Sequence, residues 1–167
     1  MSSSYTFSET YGTTGSPTTG DNNFVNLLAA NVGSGGDTTT TPLANPVVLT
    51  SGTVYSYERY IRGHWTGSFS SITTLQFWKN AGTLNAGVVV NAAGKGNQTF
   101  ATPVVTASGI ATAPIPTSQG SGLTPAYAAA FSDYLVLQAV ITVASAGAGN
   151  FYSAPGYATY RMSWNEV

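Results

Sequence analysis

From residue 53 onward the apolar and polar positions alternate with a period of two. Residues 53–66 are rich in β-branched and aromatic side chains. Alternation sets Tyr55, Tyr57, Ile61 and Trp65 on one face, with Arg59 as the odd member. Ser56, Glu58, Tyr60, Arg62 and His64 point the other way. Further strands are predicted over residues 72–79 and 87–91, and a short one over 99–106 that Pro103 assigns to an edge. Residues 133–143 form the strongest pattern: Tyr134, Val136, Gln138 and Val140 against Leu135, Leu137, Ala139 and Ile141. Two largely apolar faces predict a central strand buried on both sides. A last strand over 156–166 carries Tyr160, Met162 and Trp164 on one face, and residues 126–131 alone suggest a short helical turn.

Residues 1–50 show no such period. Stretches 12–20 and 33–42 are crowded with Gly, Ser, Thr and Pro, and between them Phe24, Val25, Leu27 and Leu28 form the one apolar cluster. The expectation is an extended N-terminal arm over 1–50 and a β-sandwich domain over 51–167. About seven or eight short strands separated by Gly/Ser/Pro turns predict an all-β fold. An antiparallel β-sandwich, with a jelly roll as the favoured topology, fits that pattern. The arm is expected to order only in an assembly, with Phe24, Val25, Leu27 and Leu28 packing on another subunit.

Composition sharpens this picture. Gly, Ala, Ser and Thr supply 82 of 167 residues, and only 7% of the chain is charged. An ordinary soluble domain carries roughly 25% charged residues. The exterior is therefore made of hydroxyls, amides, methyls and backbone, which suits flat contact with other protein better than acid–base catalysis. A net charge of −1 argues against binding nucleic-acid backbone. No apolar run is long enough to span a bilayer, residues 1–8 lack the features of a secretory signal, and a soluble chain made in a cytosol is expected.

The charges are unevenly placed. Residues 1–57 hold Glu9, Asp21 and Asp37 and no base, a sum of −3; residues 58–95 hold Glu58 against Arg59, Arg62, Lys79 and Lys95, a sum of +3. This opposition suggests that the arm lies across a basic patch.

The densest polar group is Glu58, Arg59, Arg62 and His64. It reads as a cross-strand ion-pair set or a subunit contact rather than a catalytic cluster. One histidine and no cysteine leave no pattern for a zinc site, and Asp21-Asn22-Asn23 is a poor calcium loop. No Gly-x-Ser-x-Gly elbow is present, and Gly94-Lys95-Gly96 lacks phosphate-loop spacing. The reading is a non-enzyme with no catalytic, metal or cofactor residues. Tyr55, Tyr57, Tyr60 and Trp65 could stack on sugars, although filling the core is the simpler use.

Five segments, in order and spacing, are similar to a group of tailed-bacteriophage virion structural proteins. They are Tyr55-Ser-Tyr-Glu-Arg-Tyr-Ile-Arg62, Ser71-Ile-Thr-Thr-Leu-Gln-Phe-Trp-Lys79, Ile115-Pro-Thr-Ser118, Ser132-Asp-Tyr-Leu-Val-Leu-Gln138 and Ser163-Trp-Asn-Glu-Val167. The likeness covers about residues 53–167 and brings no catalytic residues with it. It implies a virion structural protein, assembled in the host cytoplasm, without fixing its position in the particle; with the neutral surface, the leading expectation is a capsid decoration (cement) protein. Its partners would be the major capsid protein or another virion protein, and it would form a homo-oligomer, with a trimer favoured. The alternatives are a tail or head-fibre component, or a carbohydrate-binding module.

Overall fold

The computed structural model describes residues 2–21, 48–145 and 159–167. Within them ten strands and one 3-10 turn (Gln119–Ser121) form an all-β, antiparallel structure. The strands are β1 (Ser2–Thr13), β2 (Ser16–Asp21), β3 (Thr53–Tyr55), β4 (Arg59–Ser68), β5 (Ile72–Ala81), β6 (Val88–Gly94), β7 (Tyr127–Ala128), β8 (Phe131–Ser132), β9 (Leu135–Thr142) and β10 (Thr159–Glu166). Eight belong to one sheet and β5–β10 form a second.

β9 is the axis of the large sheet. β4 and β3 pair along one edge and β6 along the other, so seven of its eight positions are shielded or nearly so. This is the doubly buried central strand that its two apolar faces predict. Leu135, Leu137 and Ile141 are at most 1% exposed, and truncating such a leucine to alanine costs about 2–5 kcal/mol.

β3 and β4 are one strand broken by a bulge. Tyr55 opposes Val140 and Arg59 opposes Leu137, so four steps on one side match three on the other. The extra residue lies within 56–58 and re-aims the side chains there. The single strand expected over 53–66 is corrected accordingly.

The small sheet lies on one face of the large one. Ile72, Leu75 and Phe77 of β5 and Met162 of β10 join Ile61, Trp65, Val90, Ala92, Leu135 and Leu137 in one core. Gly63 is needed in this core. A Cβ there would lie 2.3 Å from the Trp65 ring, which folds back over the strand beneath Met162.

The other face is covered by chain without regular structure. Phe100, Ala101 and Ile110 pack on Tyr60, Ala111, Tyr134 and Val136. The edge strand expected over 99–106 is therefore absent. Its backbone is held by one main-chain bond, from Glu58 N to the Val104 carbonyl at 2.9 Å, and by side chains: the Ser108 amide donates to Gln138 Oε1 at 2.9 Å, and Gln138 Nε2 donates to the Thr106 carbonyl at 2.7 Å.

Two further expectations are overturned. Residues 2–21 do not form an arm. β1 pairs with β4 from Ser2↔Ser68 to Thr10↔Tyr60, and β2 folds back on β1. Alternation of Tyr5 and Phe7 with small hydroxyl residues gives β1 an apolar face, and both rings pack on the main core. The remainder of the expected arm, with Phe24, Val25, Leu27 and Leu28, lies outside the described residues. Residues 126–131 are not helical either: β7 and β8 form a hairpin whose two loop residues, Ala129 (φ 50°) and Ala130 (φ 74°), are both left-handed. Positive φ at both loop positions is the geometry that matches the twist of flanking strands.

The chain ends of the two layers are tied together. The hydroxyl and amide of Ser3 donate to the exposed Glu166 carboxylate and hold its pKa below the ordinary range.

Candidate functional site

The four polar residues singled out by sequence do not form one site. Arg59 shares the face of Ile61 and Leu137 and is 2% exposed. Its guanidinium lies 3.7 Å from the carboxylate of Glu9, itself 1% exposed. Glu9 pairs in register with Ile61, so the ion pair runs diagonally between β1 and β4. Burial lowers the Arg59 pKa, and the negative charge of Glu9 opposes that shift.

Glu58, one residue earlier, sits in the bulge and is buried on the opposite side. It accepts hydrogen bonds from the Ser108 hydroxyl, the Val104 amide at 3.3 Å and, at 3.5 Å, the Tyr60 hydroxyl. Ser108 Oγ in turn accepts from the amides of Ile110 and Ala111 at 3.0 and 2.8 Å. Burial, followed by the neighbouring Glu58 charge, pushes the Tyr60 pKa up to about 12. Gln138, fully buried, completes the network by donating to the Ser56 carbonyl at 2.8 Å. This set fastens segment 99–111 over the sheet. Both side chains are buried within this chain, which corrects the expectation that set them at an exposed interface.

Arg62 and His64 remain near the surface and are brought together. The β7–β8 hairpin places Phe131 opposite His64, and the two rings stack with centroids 4.3 Å apart and 13° between planes. His64 Nδ1 is 2.9 Å from the Asp21 carboxylate at the end of β2. The Arg62 guanidinium lies 3.8 Å from the centre of the Phe131 ring and 4.8 Å from that of Tyr134. Tyr134 is anchored by a 2.7 Å hydrogen bond to Thr10. The geometry is that of a cation–aromatic stack, each such contact worth about 0.5–1 kcal/mol when exposed. Of the acidic residues set against the basic stretch, Glu9 meets Arg59, while Asp21 lies against the His64 ring.

A separate concavity of about 520 Å³ opens beside β3. Its walls are Thr53, Val54, Tyr55 and Tyr57 on one side, Val105, Thr106 and Ala107 on another, and Val48 and Thr50 at the approach to the strand. Every described lining residue is uncharged. Tyr60 and Trp65 are core residues, whereas Tyr55 and Tyr57 are only half-buried. The four aromatics weighed for stacking therefore divide equally between core and groove.

No family model matches. The same holds for curated proteins and for solved structures. The site is thus defined by its own geometry. Glu9, Ser108, Phe131 and Gln138 were not singled out by sequence. Only Gln138 carried a signal, as a lone amide inside an otherwise apolar central strand.

Proposed function

We propose that the protein is a non-enzymatic virion structural protein, a decoration (cement) protein that joins neighbouring units of a phage shell as a homo-oligomer. The observation that carries this reading is the placement of charge. Among the described residues ten are charged, and only Asp21, Arg161 and Glu166 are exposed. Glu9, Glu58 and Arg59 are consumed inside the fold. Arg62, Lys79, Lys95 and Asp133 are half-buried, so the surface of the described residues is dominated by hydroxyl, amide and methyl groups with few charges among them. Such a surface meets another protein without the desolvation cost of burying charge. The resemblance read from five short segments within residues 53–167 points the same way.

The test is co-sedimentation of the full chain with shells purified without it. Binding should saturate and should persist when salt is raised, because uncharged contacts are little screened. Failure to co-sediment, or release by moderate salt, would count against a neutral cementing surface.

A further inference from the structure

We infer that the groove beside β3 is a binding site for an uncharged saccharide. This goes beyond the structural role and does not depend on where the protein sits in a particle.

The groove is amphipathic without being charged. Tyr55 and Tyr57 offer half-buried rings, while Val48, Val54, Val105 and Ala107 supply the apolar wall. Thr50, Thr53 and Thr106 add hydroxyls that both donate and accept. The backbone adds more. Val143 N donates to Gly52 O and Ser56 N donates to Ala139 O, each at 2.9 Å. Because bonding in an antiparallel pair alternates along the strand, the amides and carbonyls of Thr53 and Tyr55 point away from β9. A sugar ring has the matching chemistry: an apolar C–H face for a tyrosine ring and a rim of neutral hydroxyls for threonines and backbone. Anionic ligands find no cation among the lining residues.

Groove and polar network also share a wall. Thr106, which lines the groove, accepts from the buried Gln138 through its carbonyl, and Glu58 holds Val104 next to Val105. The wall is therefore fixed before any ligand arrives, which lowers the ordering cost of binding.

The test uses the full chain and three uncharged hexasaccharides: a β-linked glucan, an α-linked glucan and an N-acetylglucosamine oligomer. A sulfated hexasaccharide and a neutral Thr/Val peptide serve as comparisons, with saturation-transfer NMR and calorimetry as readouts. At least one neutral saccharide should bind in the millimolar range or tighter, and better than the sulfated one. Tyr57→Ala should weaken that binding by about tenfold. Val105→Trp fills the groove from its exposed wall without touching the core, and should abolish binding while leaving the thermal transition in place. The inference is overturned if none of the three binds, if Val105→Trp leaves binding intact, or if only the peptide binds.

Discussion

The Arg59 guanidinium and the Glu9 carboxylate stand 3.7 Å apart, both all but sealed from solvent, and join β4 to β1. Removing one charge of a buried pair leaves the other desolvated without it, at a cost of about 3–5 kcal/mol. Glu9→Gln should lose stability of that order in a urea titration. The double replacement Glu9→Leu with Arg59→Met should be less damaging than the sum of the two single changes. Additive losses would show that the two residues act separately.

Tyr60 and Tyr160 both have their pKa pushed up to about 12, chiefly by burial. In the unfolded chain tyrosine titrates near pH ~10. Below that value both states hold the proton and stability is unaffected. Between about 10 and 12 the unfolded chain releases protons that the folded chain keeps, so stability falls as pH rises. Urea midpoints across this range should decline, and Tyr60→Phe should make the decline shallower. A flat profile would contradict the buried placement of these hydroxyls.

Thr74 adopts φ 56° where β5 bulges against β10, between the pairs Ser163↔Gln76 and Asn165↔Thr73. A β-branched residue in left-handed geometry is strained by roughly 1–2 kcal/mol. Thr74→Gly should therefore raise the urea midpoint, against the usual effect of glycine in a strand. Ala130→Gly, in the β7–β8 turn at φ 74°, should act in the same direction. A loss in both variants would contradict the positive φ angles.

β1 carries Tyr5 and Phe7 into the core, where Tyr5 packs on Trp65 and Trp164 and Phe7 on Phe77. Deleting residues 2–21 should uncover Trp65, Trp164 and Phe77 and open the edge of β4 that pairs with β1. The product should aggregate or lose its near-ultraviolet circular dichroism. A soluble deletion variant with an intact aromatic spectrum would restore the reading of this segment as an arm.

Much of the fold was legible because β4, β5, β9 and β10 carry large apolar side chains at strand period. β1 was not, although Tyr5, Phe7, Glu9 and Tyr11 do alternate with Ser and Thr. Hydroxyl residues and Gly12 diluted its apolar face below what reads as a strand. Segment 99–106 misled in the opposite sense, since its Val and Thr content suggested pairing that Glu58 and Gln138 side chains supply instead. Alternation also set Glu58 and Arg59 on opposite faces. It gave no sign that both side chains are buried, Arg59 beside Glu9 of β1 and Glu58 under segment 99–111. That burial turns an apparent surface cluster into two buried ties, and it depends on long-range packing that no local pattern encodes.

If this β scaffold of few charges cements a phage shell, a density map of the intact particle will show the chain repeated across the outer shell lattice, touching adjacent capsomers through its neutral surface. Density confined to the tail or to isolated fibres, with bare shell elsewhere, would contradict it.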